Sequence, residues 1–162
     1  MTDLVVRRAE AADLPAVGAV TVAAYAEFTE GPDDRYVARL ADAAARQREA
    51  ELWVAERDGE VLGTVTLAPE GSPWREVAEP GEGEFRMLAV APTARRQGVG
   101  EALTRLAVDR FRDLGAPAVV LSSLAEMTAA HRVYGRLGFV RVPERDWSPL
   151  PHVHLVAFRL EL

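Results

Sequence analysis

Six consecutive residues, Arg95-Arg96-Gln97-Gly98-Val99-Gly100, set two guanidinium groups and two glycines at the start of an apolar stretch of helical spacing. The first turn of a helix presents backbone N-H groups with no intrahelical acceptor and carries partial positive charge. Glycines there let an anion approach the backbone closely. Neighbouring arginines favour a phosphate among the possible anions. A Walker phosphate loop needs Gly-Lys-Ser/Thr, and the chain contains no lysine at all. The dinucleotide fingerprint needs a third glycine or alanine three residues after Gly100, directly behind a strand; Leu103 stands there, and a Pro-Thr-Ala loop intervenes.

The turn has to be held by what flanks it. Residues Glu84 to Ala91 are extended and apolar until Pro92, which cannot donate to a ladder. After the turn, Val99, Leu103, Leu106, Ala107, Phe111 and Leu114 recur at helical spacing until Gly115 and Pro117 end the pattern. Upstream, Leu4 to Arg8 reads as a strand and Asp13 as the cap of a helix carrying Leu14, Val17, Val20 and Ala24. Gly31-Pro32-Asp33-Asp34 introduces a second helix running to about Glu49, with Arg39, Arg46 and Arg48 directed mostly outward. Leu52 to Ala55 and Val61 to Leu67 flank Asp58-Gly59, a strong hairpin signal. Residues 68 to 83 form a Pro/Gly/Glu-rich loop containing Trp74. Downstream come a strand over 118 to 122, a helix over 127 to 137, a short strand over 139 to 142 and a last strand over 152 to 160. This order predicts an α/β (α+β) sandwich in a single domain over residues 1–162.

The turn and its strand, Leu88-Ala89-Val90-Ala91-Pro92 followed by Arg95 to Gly100, resemble the pyrophosphate-binding motif Arg/Gln-x-x-Gly-x-Gly/Ala of the GCN5-related N-acetyltransferase (GNAT) family. A second signature, an alanine-rich helix ending Leu-Tyr-x-x-Leu-Gly-Phe, is matched by Ala129-Ala130-His131-Arg132-Val133-Tyr134-Gly135-Arg136-Leu137-Gly138-Phe139. The resemblance implies the GNAT fold: a mixed, mostly antiparallel sheet, splayed between its fourth and fifth strands and flanked by helices. Acetyl-CoA, the co-substrate, would lie in that cleft. Its pantetheine would run along the backbone of Leu88, Ala89 and Val90, and its pyrophosphate would rest on Arg95, Arg96, Gln97, Gly98, Val99 and Gly100. The activity implied is acetyl transfer to a primary amine by direct attack in a ternary complex; a non-catalytic acyl-CoA sensor is the alternative.

By the same resemblance, Tyr134 stands where family members keep a general acid for the departing thiolate, and a neutral phenol suits that task. Glu84 matches a glutamate that takes the amine proton in several members; it could equally pair with Arg86, two residues along the same strand face. Met127 replaces an asparagine that commonly contacts pantetheine. Val119 to Leu124 carries no carboxylate, which disfavours the variant typical of ribosomal-protein N-terminal acetylation.

A net charge of -6 argues against a nucleic-acid partner, and the absence of cysteine excludes disulfides and thiolate-ligated zinc. His152 and His154 alternate along an expected strand without a third ligand, so no metal is expected, and His131 reads as an outward helix residue. No apolar run suits a membrane span, so a cytoplasmic protein, monomer or homodimer, is expected, and the Ala, Arg, Gly and Pro bias without lysine points to a GC-rich bacterial genome. Glu70, Glu76, Glu79, Glu82 and Glu84 crowd the approach to the central strand, with Trp74, Tyr25, Phe28 and the 143–147 segment as neighbouring surfaces. They suggest a small cationic amine as acceptor.

Overall fold

The computed structural model describes residues 2–162. Eight strands form one sheet: β1 (Val5–Arg8), β2 (Glu51–Arg57), β3 (Glu60–Ala68), β4 (Gly83–Val90), β5 (Ala118–Leu124), β6 (Val140–Arg141), β7 (Trp147–Leu150) and β8 (Val153–Glu161). The spatial order is β1-β2-β3-β4-β5-β8-β6, with β7 paired to β8. Helices α1 (Leu14–Tyr25), α2 (Arg35–Ala41) and α3 (Ala43–Glu49) cover one face, while α4 (Val99–Asp113) and α5 (Thr128–Arg136) cover the other.

The β2–β3 hairpin follows its turn chemistry: Asp58 and Gly59 both take positive φ, at 54° and 80°, as a tight two-residue connection requires. Two cores form on the two faces of the sheet. Val65, Leu67 and Phe85 meet Val99, Leu103, Ala107 and Phe111 of α4, whereas Ala68, of opposite parity to Leu67, meets Leu40 and Ala45 from the other layer together with the loop residue Trp74; Met87 joins that second core against the alternation set by Phe85, because the strand is irregular between them. Gly63 and Gly83 let α4 lie close to the sheet. A Cβ on Gly63 would stand 2.6 Å from Val99 Cγ1, and one on Gly83 would collide with the Phe111 ring.

Every sheet pairing is antiparallel except β4–β5, and that parallel ladder holds only Gly83 against Val119 and Glu84 against Val120. Beyond Glu84 the two strands separate. A bulge helps to part them: Thr64 and Thr66 on β3 oppose Ala89 and Arg86, so β4 carries one extra residue, and Met87 sits at φ +52°.

Several sequence expectations need correction. The helix expected up to Glu49 is broken at Asp42, whose side chain accepts the Ala45 N-H at 3.1 Å and starts α3. Arg46 is therefore not outward but fully buried; its guanidinium donates to the carbonyls of Arg39 and Asp42 on either side of the break, the first of which also accepts the Asp42 N-H. The final strand begins at Val153, with His152 in the preceding turn, and β7 lies where no strand was expected. His131 packs on the Phe158 ring and bonds Ser123 Oγ at 3.1 Å instead of pointing outward.

Candidate active site

Where β4 and β5 part, a cavity of about 600 Å³ opens. Its walls include Phe85, Met87 and Leu88 of β4, Leu121 to Leu124 of β5, Tyr134 of α5 and Met127 just before that helix. Residues from Phe28 to Arg39 form one lip, and Pro149 to Val153 of the β7–β8 hairpin form the other.

Tyr134 is fixed by an aromatic cage, with ring centroids 6.0 Å from Phe85, 5.9 Å from Phe139 and 5.7 Å from Phe158. The ring is 4 % exposed, yet no group among the described residues hydrogen-bonds its hydroxyl. Burial raises its pKa well above the ordinary phenol value, so the group keeps its proton at neutral pH. Tyr25, at the end of α1, reaches across to donate to the Leu88 carbonyl at 3.2 Å, on the stretch of β4 that β5 has left.

The glycine turn lies at the far end of β4, past a 3-10 turn over Pro92–Ala94 and outside the cavity lining. Arg96 and Gly98 adopt φ of 65° and 80°. The first intrahelical bond of α4 is Ala102 N-H to the Gly98 carbonyl, so the N-H groups of Val99, Gly100 and Glu101 have no helical acceptor. Val99 is buried against Gly63 and anchors the turn, while a Cβ on Gly100 would meet only Val90 Cγ2 at 3.6 Å. Arg95 pairs with Glu27 at 3.2 Å, Gln97 Oε1 accepts from Arg57 at 2.8 Å, and Arg96 has no partner among the described residues. Free N-H groups at the turn suit an anion such as a phosphate, and the unladdered strand edge offers backbone groups to an extended ligand.

Glu84 is not part of the cavity wall. It is fully buried under the loop that precedes β4, and its Oε1 accepts three backbone N-H groups, from Glu76 at 2.9 Å, Val77 at 3.0 Å and Ala78 at 3.0 Å. The alternative pairing of Glu84 with Arg86 is absent too, because Arg86 Nε meets Glu76 Oε1 at 2.9 Å and stacks over Trp74. The other loop glutamates are likewise engaged: Glu82 binds Arg145 and Arg159, Glu79 pairs with Arg145, and Glu70 accepts the Gly81 N-H. Of the five, only Glu76 faces the cavity, joined by Glu30, Asp33 and Asp34 from the lip. Trp74 is buried beneath Arg39 and Arg86 and offers no open face.

Of the residues singled out from the sequence, Tyr134, Leu88 and Glu76 line one cavity and the glycine turn lies at the end of the same strand; the Tyr25 bridge to Leu88 and the Met87 bulge were missed. Tyr25 carried a signal, as an aromatic closing the first helix; a left-handed methionine carries none. No helix among the described residues is long and apolar enough to cross a membrane, and none of their His, Asp and Glu side chains cluster in a metal-holding group of three or more.

Comparison with known proteins agrees with this geometry. The model of the acetyltransferase (GNAT) family matches residues 19–139. Mycothiol acetyltransferase of Cellulomonas flavigena is 39% identical over 117 residues, covering 64% of this chain and 32% of that protein. The enzyme of the same name from Thermomonospora curvata is 37% identical over 120 residues, covering 70% and 38%. The chain thus spans about a third of the length of these curated relatives. Among solved structures, a GNAT-family acetyltransferase from Staphylococcus aureus superposes with a TM-score of 0.78 at 12% identity, covering 99% of both chains. YncA of Salmonella typhimurium, solved with acetyl-CoA, gives 0.72 at 24% identity, covering 99% and 95%. Fold, glycine turn and family match converge, and the chain belongs to the acetyltransferase (GNAT) family.

Proposed function

We propose that this chain is a single N-acetyltransferase domain that moves an acetyl group from acetyl-CoA to a primary amine by direct attack, without a covalent enzyme intermediate. The observation that carries this reading is the parting of β4 and β5 after two paired residues, with Tyr134 caged at the opening. The unpaired edge over Leu88, Ala89 and Val90 holds the pantetheine amides, and the N-H groups of the Gly98–Glu101 turn, assisted by Arg95, Arg96 and Gln97, hold the pyrophosphate. Tyr134 gives its proton to the sulfur as the C–S bond breaks.

The acceptor reaches the thioester from between the two lips. The aromatic side chains of Tyr25, Phe28, Tyr36 and Phe85 favour an amine carried on an apolar body, and Glu30, Asp33, Asp34 and Glu76 draw it in as an ammonium ion. The names of the curated relatives add mycothiol-related amines to the candidates. The chain works in the bacterial cytoplasm as a monomer or homodimer, with no nucleic-acid or membrane partner and no metal.

Binding tests the reading first. Acetyl-CoA should raise the melting temperature by mass action, pantetheine alone should raise it less, and Gly98→Asp, which puts a carboxylate where pyrophosphate should sit, should remove the shift. A chain stabilised by ATP or NAD and indifferent to acetyl-CoA would refute it.

A further inference from the structure

We propose that Glu76 takes the proton from the attacking amine, and that Glu84 is the positioning residue that holds Glu76 at the cavity wall. The inference rests on the transfer reaction proposed above and assigns its proton acceptor. An amine with the lysine reference pKa of about 10.4 arrives as an ammonium ion and cannot attack until it loses a proton.

Four carboxylates line the cavity. Asp34 spends both oxygens on backbone N-H groups, accepting from Glu30 and from Tyr36. Glu30 and Asp33 lie on the exposed outer lip. Glu76 is set deeper, its side chain 21% exposed, and is held by one cation only, with Arg86 Nε on its Oε1 at 2.9 Å. Arg86 is itself fixed, donating from Nη1 to the Trp74 carbonyl at 3.2 Å. Among the described residues no other donor engages the Glu76 carboxylate, so its second oxygen is free to accept from a ligand in the cavity.

Glu84 sets this arrangement from behind. One of the three N-H groups on its Oε1 belongs to Glu76 itself, and the other two to the residues that follow. The groups facing the Glu76 carboxylate are Arg86 and Glu84 from β4 and Arg39 and Tyr36 from α2. Burial raises the Glu76 pKa, Arg86 and Arg39 oppose that rise, and the negative charge of Glu84 adds to it. The outcome is a carboxylate more basic than usual, as proton abstraction near neutral pH needs.

The protons balance. The ammonium gives one to Glu76, which passes it to solvent through the open lip. As the C–N bond forms and the C–S bond breaks, Tyr134 protonates the sulfur and the nitrogen sheds its second proton to restore the phenol. One proton is released per turnover.

The test is kcat/KM against pH, with the best acceptor from a panel of spermidine, tyramine, glucosamine, amino acids and short peptides. It compares the parent chain, Glu76→Gln, Glu76→Asp and Glu84→Gln, each with its acetyl-CoA affinity. Glu76→Gln should run about a hundredfold slower at pH 7, lose the acidic limb, and recover as pH nears the pKa of the amine. Glu76→Asp should keep the limb at a reduced rate. Glu84→Gln retains a carbonyl for the three N-H groups but removes the like charge, so the limb should move to lower pH. Acetyl-CoA affinity should hold within about twofold throughout. A Glu76→Gln profile matching the parent overturns the assignment, and loss of the limb in Glu84→Gln alone returns the role to Glu84. If the parent chain shows no amine-dependent turnover, the transfer reading itself falls, and this inference with it.

Discussion

Replacing Gly63 by alanine should weaken acetyl-CoA binding although residue 63 lies in the middle of β3, outside the cavity lining. The added Cβ would sit 2.6 Å from Val99 Cγ1, 2.9 Å from Leu103 Cδ1 and 3.0 Å from the Ala89 carbonyl oxygen. Carbon pairs settle near 3.5 to 4.0 Å, so about 1 Å of overlap must be relieved, and Val99 is buried with nowhere to retreat except by moving the first turn of α4. Overpacking of this size costs about 1 to 3 kcal/mol of stability, which a domain of ordinary stability survives. The same shift misaligns the N-H groups of Val99 and Gly100, and losing one charge-assisted bond of about 1.5 to 3 kcal/mol weakens acetyl-CoA by roughly tenfold to a hundredfold. Gly83→Ala is the matched control, since its Cβ meets Phe111 near the other end of α4. It should lose comparable stability and keep its affinity. Isothermal titration calorimetry and urea denaturation read both quantities. Native affinity and stability in Gly63→Ala, or equal loss of affinity in the two variants, would refute the reasoning.

Tyr134→Phe keeps the aromatic cage and removes the hydroxyl proposed as proton donor, so turnover should fall by about ten- to a thousandfold in a stopped assay while acetyl-CoA affinity stays unchanged. Glu82 is pushed up by burial but held down by Arg145, the Glu79 N-H and Arg159, to about 2 from 4.5. A depressed carboxylate stabilises above its unfolded value and loses that contribution as pH falls toward the folded one. After screening of its partly exposed partners, this is worth about 1 to 2 kcal/mol. Glu82→Gln should therefore be less stable than the parent chain at pH 7, with the gap closing between pH 4.5 and 2, measured by denaturation at each pH. Removing the Glu84 carboxylate altogether, as in Glu84→Ala, strands three N-H groups and should cost about 2 to 4 kcal/mol.

What the sequence made legible was whatever local chemistry decides. Asp58-Gly59 needs two positive φ angles and takes them; Gly98 sits where only glycine turns comfortably; the 3.6-residue spacing from Val99 to Phe111 describes the buried face of α4. Features set by tertiary contact were not legible. Strand alternation put Glu84 and Arg86 on one face but could not say that a distant loop would fold its N-H groups onto the first and leave the second to Glu76. Arg46 lies within a helical pattern with no glycine or proline, so the only local mark of the break that draws its guanidinium inward was Asp42, a capping residue type that also occurs within helices. Strand Trp147–Leu150 pairs only with β8, at the sheet margin, where Pro149 needs no N-H for a ladder bond, and no apolar alternation announces it.

The most direct measurement is release of free CoA thiol from acetyl-CoA by the purified chain, amine by amine, with mass analysis of the acceptor. The account predicts that at least one primary amine triggers thiol release matched one for one by an acetylated amine, and that this turnover is largely lost in Tyr134→Phe. Tight acetyl-CoA binding with no amine-dependent release from any member of the panel would contradict it and leave a chain that binds the thioester without transferring its acetyl group.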